Sequence, residues 1–251
     1  RPLPQGARDP PVSVTLPYEA PLQTGRFVAR RKRFFCDLLL DDAPLTAHLA
    51  NTGSMRGCTA PDAPVRVRDS GDPKRKLRFS AEQIQVDGDW IVVNTARANQ
   101  VVARALAAGA LPELGPYDTV EREVRLGASR VDFRLRGPGR VVWVEVKSVT
   151  LREGEWLRFP DAVSARAAKH ARELAERVGE GEEAVLFFLV PREGGRRVTV
   201  ARDLDPAYAE VLGQAVAAGV QVVARRALPR IDGIELGEPL PVEGLAGSEG
   251  G

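Results

Sequence analysis

The chain has 251 residues, 43% of them hydrophobic and 28% charged, with 36 Lys and Arg against 34 Asp and Glu for a formal net charge of +2. That composition suits a folded protein with one large or two small cores and excludes global disorder. An excess of cations this slight neither requires nor excludes a nucleic-acid partner, because binding depends on local clustering. Cys36 and Cys58 lack metal-ligand spacing, and no secretory signal is recognisable, so both are expected as reduced packing residues of a cytoplasmic protein. No apolar run reaches bilayer length, AVLFFLV from Ala184 being strand-sized, and no membrane partner is expected.

Residues 1–21 are rich in proline and poor in apolar periodicity, which predicts an extended arm outside the core. Across residues 22–93, short runs such as RFVARR, FFCDLLL, VRVRD and WIVV alternate with turn signals such as Asp87-Gly88, the pattern of a small β-barrel. Two basic clusters mark it: Arg31, Lys32 and Arg33 before Phe34-Phe35, and Lys74, Arg75 and Lys76 before Leu77 and Phe79. A basic groove with aromatic platforms is how small barrels hold single strands. Strand alternation equally suits phenylalanines in the core, the expectation for Phe35 and Phe79, with some of the basic residues on backbone phosphates. Between two strands, Asn51-Thr52-Gly53-Ser54-Met55 combines a glycine with small polar side chains. Asn51 and Ser54 there suit close approach of a phosphate, and equally a tight turn held by local side-chain hydrogen bonds.

From the boundary near Asn94-Thr95 the rhythm changes to alternating helix and strand. Thr95 is expected to cap a helix ending at Ala108-Gly109. Strands are predicted over residues 119–126, 129–135 and 141–149, then a helix opening at Pro160-Asp161, a strand over 184–190, a helix from Asp205-Pro206 to Ala218 and a closing strand VQVVAR. The order αβββαβαβ predicts a mixed-sheet α/β domain over residues 94–228, with residues 229–251 left as a tail.

The chemistry concentrates on the hairpin around Gly137-Pro138-Gly139. Glu145 and Lys147 are two apart on one strand and share a face, and a turn centred near Pro138 sets Asp132 opposite Val144 or Glu145. A bulge decides which. Two carboxylates suit Mg²⁺ or Mn²⁺, which keeps water and substrate phosphate in its remaining positions, and an ammonium beside them can hold the attacking water or offset charge on a phosphorane. The same residues suit a simple cross-strand ion pair on a solvent face. In the following helix Val163, Ala167, Ala171, Leu174 and Val178 share one face, and Arg166, Lys169, His170 and Glu173 the other. That polar face suits a phosphate backbone or plain solvent. Glu123, Arg130, Lys169 and His170 are the candidates to support the site.

Eight strings in order carry a resemblance to a known family: RFVARRKRFFCDLLL, HLANTGSM, DPKRKLRF, VVNTARAN, SRVDF, EVKSVTL, FPDAVSARAAKHARELAE and DPAYAEVLGQAVAAGVQV. From about Pro17 to Val242 the chain resembles the sugar fermentation stimulation protein A family, SfsA. The resemblance implies a DNA-binding protein with an N-terminal OB-like barrel and a C-terminal domain similar to PD-(D/E)XK nucleases, Asp132, Glu145 and Lys147 matching that motif. SARAAKH departs from the family, which usually has a glycine near Ala167, and the two ends lie outside the match. The expected function is a Mg²⁺- or Mn²⁺-dependent nuclease acting on DNA or RNA. Its alternative is a non-catalytic DNA-binding regulator of sugar-metabolism genes that keeps a nuclease fold. Oligomeric state is left open, a homodimer included.

Overall fold

The structure is a computed structural model and describes residues 13–245. The first part of the expected arm, residues 1–12, and the end of the expected tail, residues 246–251, lie outside the described residues. After β1 (Thr15–Pro17) come the six strands of the N-terminal sheet: β2 (Leu22–Arg31), β3 (Phe35–Leu40), β4 (Ala43–His48), β5 (Pro64–Asp69), β6 (Phe79–Val86) and β7 (Asp89–Val92). Their order is β4-β3-β2-β5-β6-β7, and a pairing of His48 with Ser80 joins β4 to β6 so that the sheet closes on itself. Alternation makes this sheet two-sided. Cys36, Leu38, Val65 and Val67 are buried inside it, while Asp37, Arg66 and Arg68 point outward. Both cysteines are free and buried. Phe35 and Phe79 are half-buried, and only Phe79 packs against the core cluster.

The second unit runs α1 (Ala96–Ala107), β8 (Thr119–Leu126), β9 (Ser129–Gly137), β10 (Arg140–Ser148), β11 (Leu151–Glu153), β12 (Trp156–Phe159), α2 (Ala165–Gly179), β13 (Glu183–Val190), β14 (Arg197–Val200), α3 (Pro206–Ala217), β15 (Gln221–Pro229) and β16 (Gly233–Pro239). Seven strands form a mixed sheet in the order β1-β16-β15-β13-β10-β9-β8, parallel where β13 pairs with β10 and β15 and antiparallel elsewhere. Strand β10 shows how the layers arise. Its even positions Val142 and Val144 join Phe133, Leu135 and Phe187 against α1, while Trp143 joins Leu186 and Phe188 against α2 and α3. Each such side chain contributes about 1.5–3 kcal/mol by leaving water, so both faces of the central strands are covered, as their continuous apolar runs require.

Four expectations are corrected. The arm and tail are not loose throughout: β1 pairs with β16, β16 with β15, and Val14 is buried, so both chain ends extend the second sheet. Each strand is too short or too polar to show a period alone and is held by its neighbours in the sheet. The second helix starts at Ala165, five residues later than expected, because β12 runs to Phe159 and the cap is Ser164, whose Oγ accepts from Ala167 N at 3.2 Å. Thr95 stands at the N-cap position of α1, but its side chain makes no cap bond; its hydroxyl donates to Ala50 O at 2.9 Å across the domain boundary, and the Asn94 side chain accepts from Ala96 N at 3.2 Å. Finally, β11, β12 and β14 form a small third sheet that the αβββαβαβ order lacks.

Candidate active site

Strands β9 and β10 pair from Gly137 and Arg140 down to Phe133 and Val144, so Asp132 comes next opposite Glu145. There the ladder ends. Instead of a ladder bond, Val146 N donates to Asp132 Oδ2 at 2.8 Å, and Asn99 Nδ2 of α1 donates to Oδ1 at 2.6 Å. Alternation breaks at the same point: Phe133 packs with the α1 core and Val131, two residues away, with the α2 core. Asp132 thus stands where β9 leaves β10, and its carboxylate turns into the gap. Glu123, between the pairs Arg122–Phe133 and Val124–Val131, has φ +52° and an exposed side chain, so it does not support the acids.

Glu145 and Lys147 share a face, as their spacing predicts, and Lys147 Nζ lies 2.6 Å from Glu145 Oε1. His170 Nδ1 bonds the same oxygen and lies 3.4 Å from Lys147 Nζ. Burial pushes the Glu145 carboxyl up, but the His170 hydrogen bond and the Lys147 charge outweigh it and hold the group below the usual carboxylate range. Asp132 goes the other way. Burial first, and then the Glu145 charge, push it up to about 6.

Both acids line one cleft of about 790 Å³ between the two domains. The N-terminal domain supplies Arg30, Arg33 and the turn from Asn51 to Ser54; α1 supplies Asn99; the segment after β12 supplies Asp161 and Ser164. Ser54 Oγ and Met55 N donate to Asp161 Oδ2 at 2.8 and 3.0 Å, latching the turn to the second domain. Arg30 braces it from behind, donating to the carbonyls of Asn51, Gly53 and Ser54 at 2.8, 3.0 and 3.1 Å. Asn51 is buried and spent on the turn itself, accepting from Gly53 N at 2.9 Å and donating to Val93 O at 3.0 Å. For Asn51 the tight-turn reading therefore describes the side chain.

The remaining expected residues divide. Arg33 reaches the cleft wall, Arg31 pairs with Asp37, and Lys32 stands exposed at the hairpin tip. Lys74, Arg75 and Lys76 are exposed on the β5–β6 connection and do not line the cleft. Arg130 and Lys169 line a neighbouring groove. The polar face expected for α2 is corrected, because His170 and Glu173 are buried, while Arg166 and Lys169 stay exposed and Val163 lies outside the helix, 76% exposed. Neither Asn99 nor Asp161 is marked by the sequence as part of the site. Their only signal is a side-chain amide in VVNTARAN and an acid just after proline in FPDAVSARAAKH, and neither spacing points to a partner 33 or 107 residues away.

Among the described residues no group of three or more His, Cys, Asp and Glu is arranged to hold a metal. The fit is therefore to a cation that needs few protein ligands. Two adjacent carboxylates opening on a solvent-filled cleft meet the demand of Mg²⁺ or Mn²⁺ for hard oxygen donors, with water and phosphate completing the shell, and do not meet that of a structural zinc.

Family models match both units: "Sugar fermentation stimulation protein RE domain" over residues 96–231 and "SfsA N-terminal OB domain" over residues 28–93. The chain belongs to the SfsA family. Sugar fermentation stimulation protein homologues of Paramagnetospirillum magneticum and Geobacter sulfurreducens are 44% and 46% identical to it over 229 residues, each covering 90% of this chain and 97% of the relative. The structure of Pyrococcus furiosus SfsA in complex with Ca²⁺ superposes with a TM-score of 0.84 at 26% identity, covering 92% of this chain and 99% of that one. This SfsA family member thus has the N-terminal OB domain and mixed-sheet α/β domain that its resemblance implies. Among the described residues no helix is long and apolar enough to cross a membrane.

Proposed function

We propose that this chain hydrolyses phosphodiester bonds of nucleic acid at the interdomain cleft with the help of Mg²⁺ or Mn²⁺. The observation that carries this reading is the meeting of Asp132, Glu145 and Lys147 in one cleft, where burial and then the Glu145 charge push Asp132 up to about 6 and an ammonium lies 2.6 Å from Glu145. Folding gains nothing from such crowding, and a cation relieves it. The Pyrococcus furiosus relative was solved with Ca²⁺, another hard cation that takes oxygen ligands, which supports a divalent site here.

Asp132 and Glu145 would hold the cation, which when bound polarises a phosphoryl oxygen and acidifies its water. Asn99 and Val146 N keep the Asp132 carboxylate in place, and His170 does the same for Glu145. Lys147 donates one N–H to Glu145 and has others for the nucleophile and for charge growing on the phosphorus oxygens. The latched turn and Arg33 narrow the cleft around the strand.

The test is to incubate the protein with labelled single- and double-stranded DNA and RNA in Mg²⁺, Mn²⁺ or chelator. Asp132→Ala should slow cleavage about a thousandfold or more while leaving nucleic-acid binding in place. Equal rates for variant and wild type overturn the assignment. The engagement of Glu145 by both Lys147 and His170 favours one second reading, a DNA-binding regulator without catalysis, which the family's name also fits. In that case Mn²⁺ binding would not respond to Glu145→Gln.

A further inference from the structure

A second groove, of about 430 Å³, lies on the other side of Arg166 and takes no part in the chemistry above. Its walls are the start of β9 with Ser129 and Arg130, and the first turns of α2 with Arg166 and Lys169. Arg166 also lines the interdomain cleft, so the two hollows meet around one guanidinium. His170 lies on the groove side while its Nδ1 holds Glu145, so the groove backs onto the acids themselves.

The cations around this groove are largely unpaired, unlike several elsewhere in the molecule. Arg31, Arg78, Arg134, Arg140 and Arg226 each sit on a carboxylate. Among the described residues the side chains of Arg130 and Arg166 take part in no hydrogen bond or ion pair, and Lys169 has only a loose one with Glu173 at 3.6 Å. Three cations around one hollow repel each other unless an anion joins them, and guanidinium forks match phosphate oxygens.

We propose that this groove is a phosphate subsite, holding the sugar-phosphate backbone on the side of the scissile bond away from the OB domain. The strand runs from Arg33 through the cleft, past Arg166, and onto Arg130 and Lys169. This rests on the nuclease reading for the place of the scissile bond, but the binding it describes needs no catalysis. A short strand that ends within the cleft does not reach the groove, whereas a longer one does.

The experiment measures binding of fluorescent oligothymidylates of about 6 and about 16 nucleotides, lengths within the range one OB fold covers. It uses the full chain, in chelator, over a series of salt concentrations. Arg130→Gln with Lys169→Gln should weaken the longer strand about tenfold and flatten its log–log salt slope by about 1.4, the release expected for two single-strand phosphate contacts. Affinity for the shorter strand should stay unchanged. Wild-type affinity and slope in the double variant, equal loss for both lengths, or failure of the wild type to bind either strand would each overturn the proposal. Absence of cleavage by the wild type in Mg²⁺ and Mn²⁺ would overturn the nuclease reading instead, and leaves this binding comparison standing.

Discussion

Two clusters of buried carboxylates in this molecule are built in opposite ways. Glu82 of β6 is fully buried at the domain boundary, where Arg97 of α1 donates to it at 2.8 and 3.0 Å, Arg68 at 3.1 Å and Asn94 at 3.0 Å. Glu19 closes the outer side of Arg97 at 2.8 and 2.9 Å. Every charge there has an opposite neighbour, and the cluster acts as a joint between the OB domain and α1. Asp132 instead lies against a second carboxylate, and Lys147 and His170 both attach to Glu145. A joint spreads its charge evenly; the cleft leaves a negative corner that only a ligand can settle.

The comparison breaks most visibly if the joint is cut. Glu82→Ala leaves Arg97 buried with half its partners and should destabilise the fold by about 3–5 kcal/mol in chemical denaturation, without changing cleavage per folded molecule. A loss below about 1 kcal/mol would mean the joint does not hold the domains together. On the cleft side, Asn99→Ala frees one oxygen of Asp132 and should weaken Mn²⁺ binding about 10–100-fold by calorimetric titration, the usual effect of losing a residue that orients a metal ligand. Unaltered Mn²⁺ affinity would remove Asn99 from the site.

Asp132→Asn should move stability in the direction opposite to Glu82→Ala. Because the folded state raises Asp132 to about 6, from an ordinary value near 4, the folded protein holds that proton more tightly than the unfolded chain. Stability therefore falls as pH rises from about 4 to about 6, and above that the ionised carboxylate costs about 3 kcal/mol. In chelator the Asn variant should be the more stable protein at pH 7, with the gap closing at pH 4; a gap that ignores pH would show that the fold does not raise the Asp132 carboxyl. The smallest effect belongs to Ser54→Ala. Losing its bond to Asp161 should cost about 0.5–1 kcal/mol and raise KM for nucleic acid more than it lowers kcat, since Met55 N still holds the latch. A fall in kcat alone would place Ser54 in the chemistry.

Much of this was legible in the chain, and the gaps have physical causes. The strands carrying the acids are bounded by glycines and rich in β-branched residues, and the shared face of Glu145 and Lys147 follows from the period of a strand. The position of Asp132 does not, because β9 leaves the ladder at Phe133 and the alternation that predicts facing stops with it. His170 and Glu173 look like solvent positions on a helical wheel, yet α2 packs over the site and turns them inward. Strands β1 and β16 are unreadable singly since each is stabilised by the other.

By itself the sequence determined the two domains, the hairpin, and the residue types able to hold a hard cation, because these follow from local periods and turn chemistry. Only the tertiary structure decided that Asn99 orients Asp132, that Asp161 latches the OB turn, and that the cations Arg130, Arg166 and Lys169 share one groove. Those pairings join residues far apart in the chain, where no spacing rule applies and only the packing of helices on the sheet sets the distance.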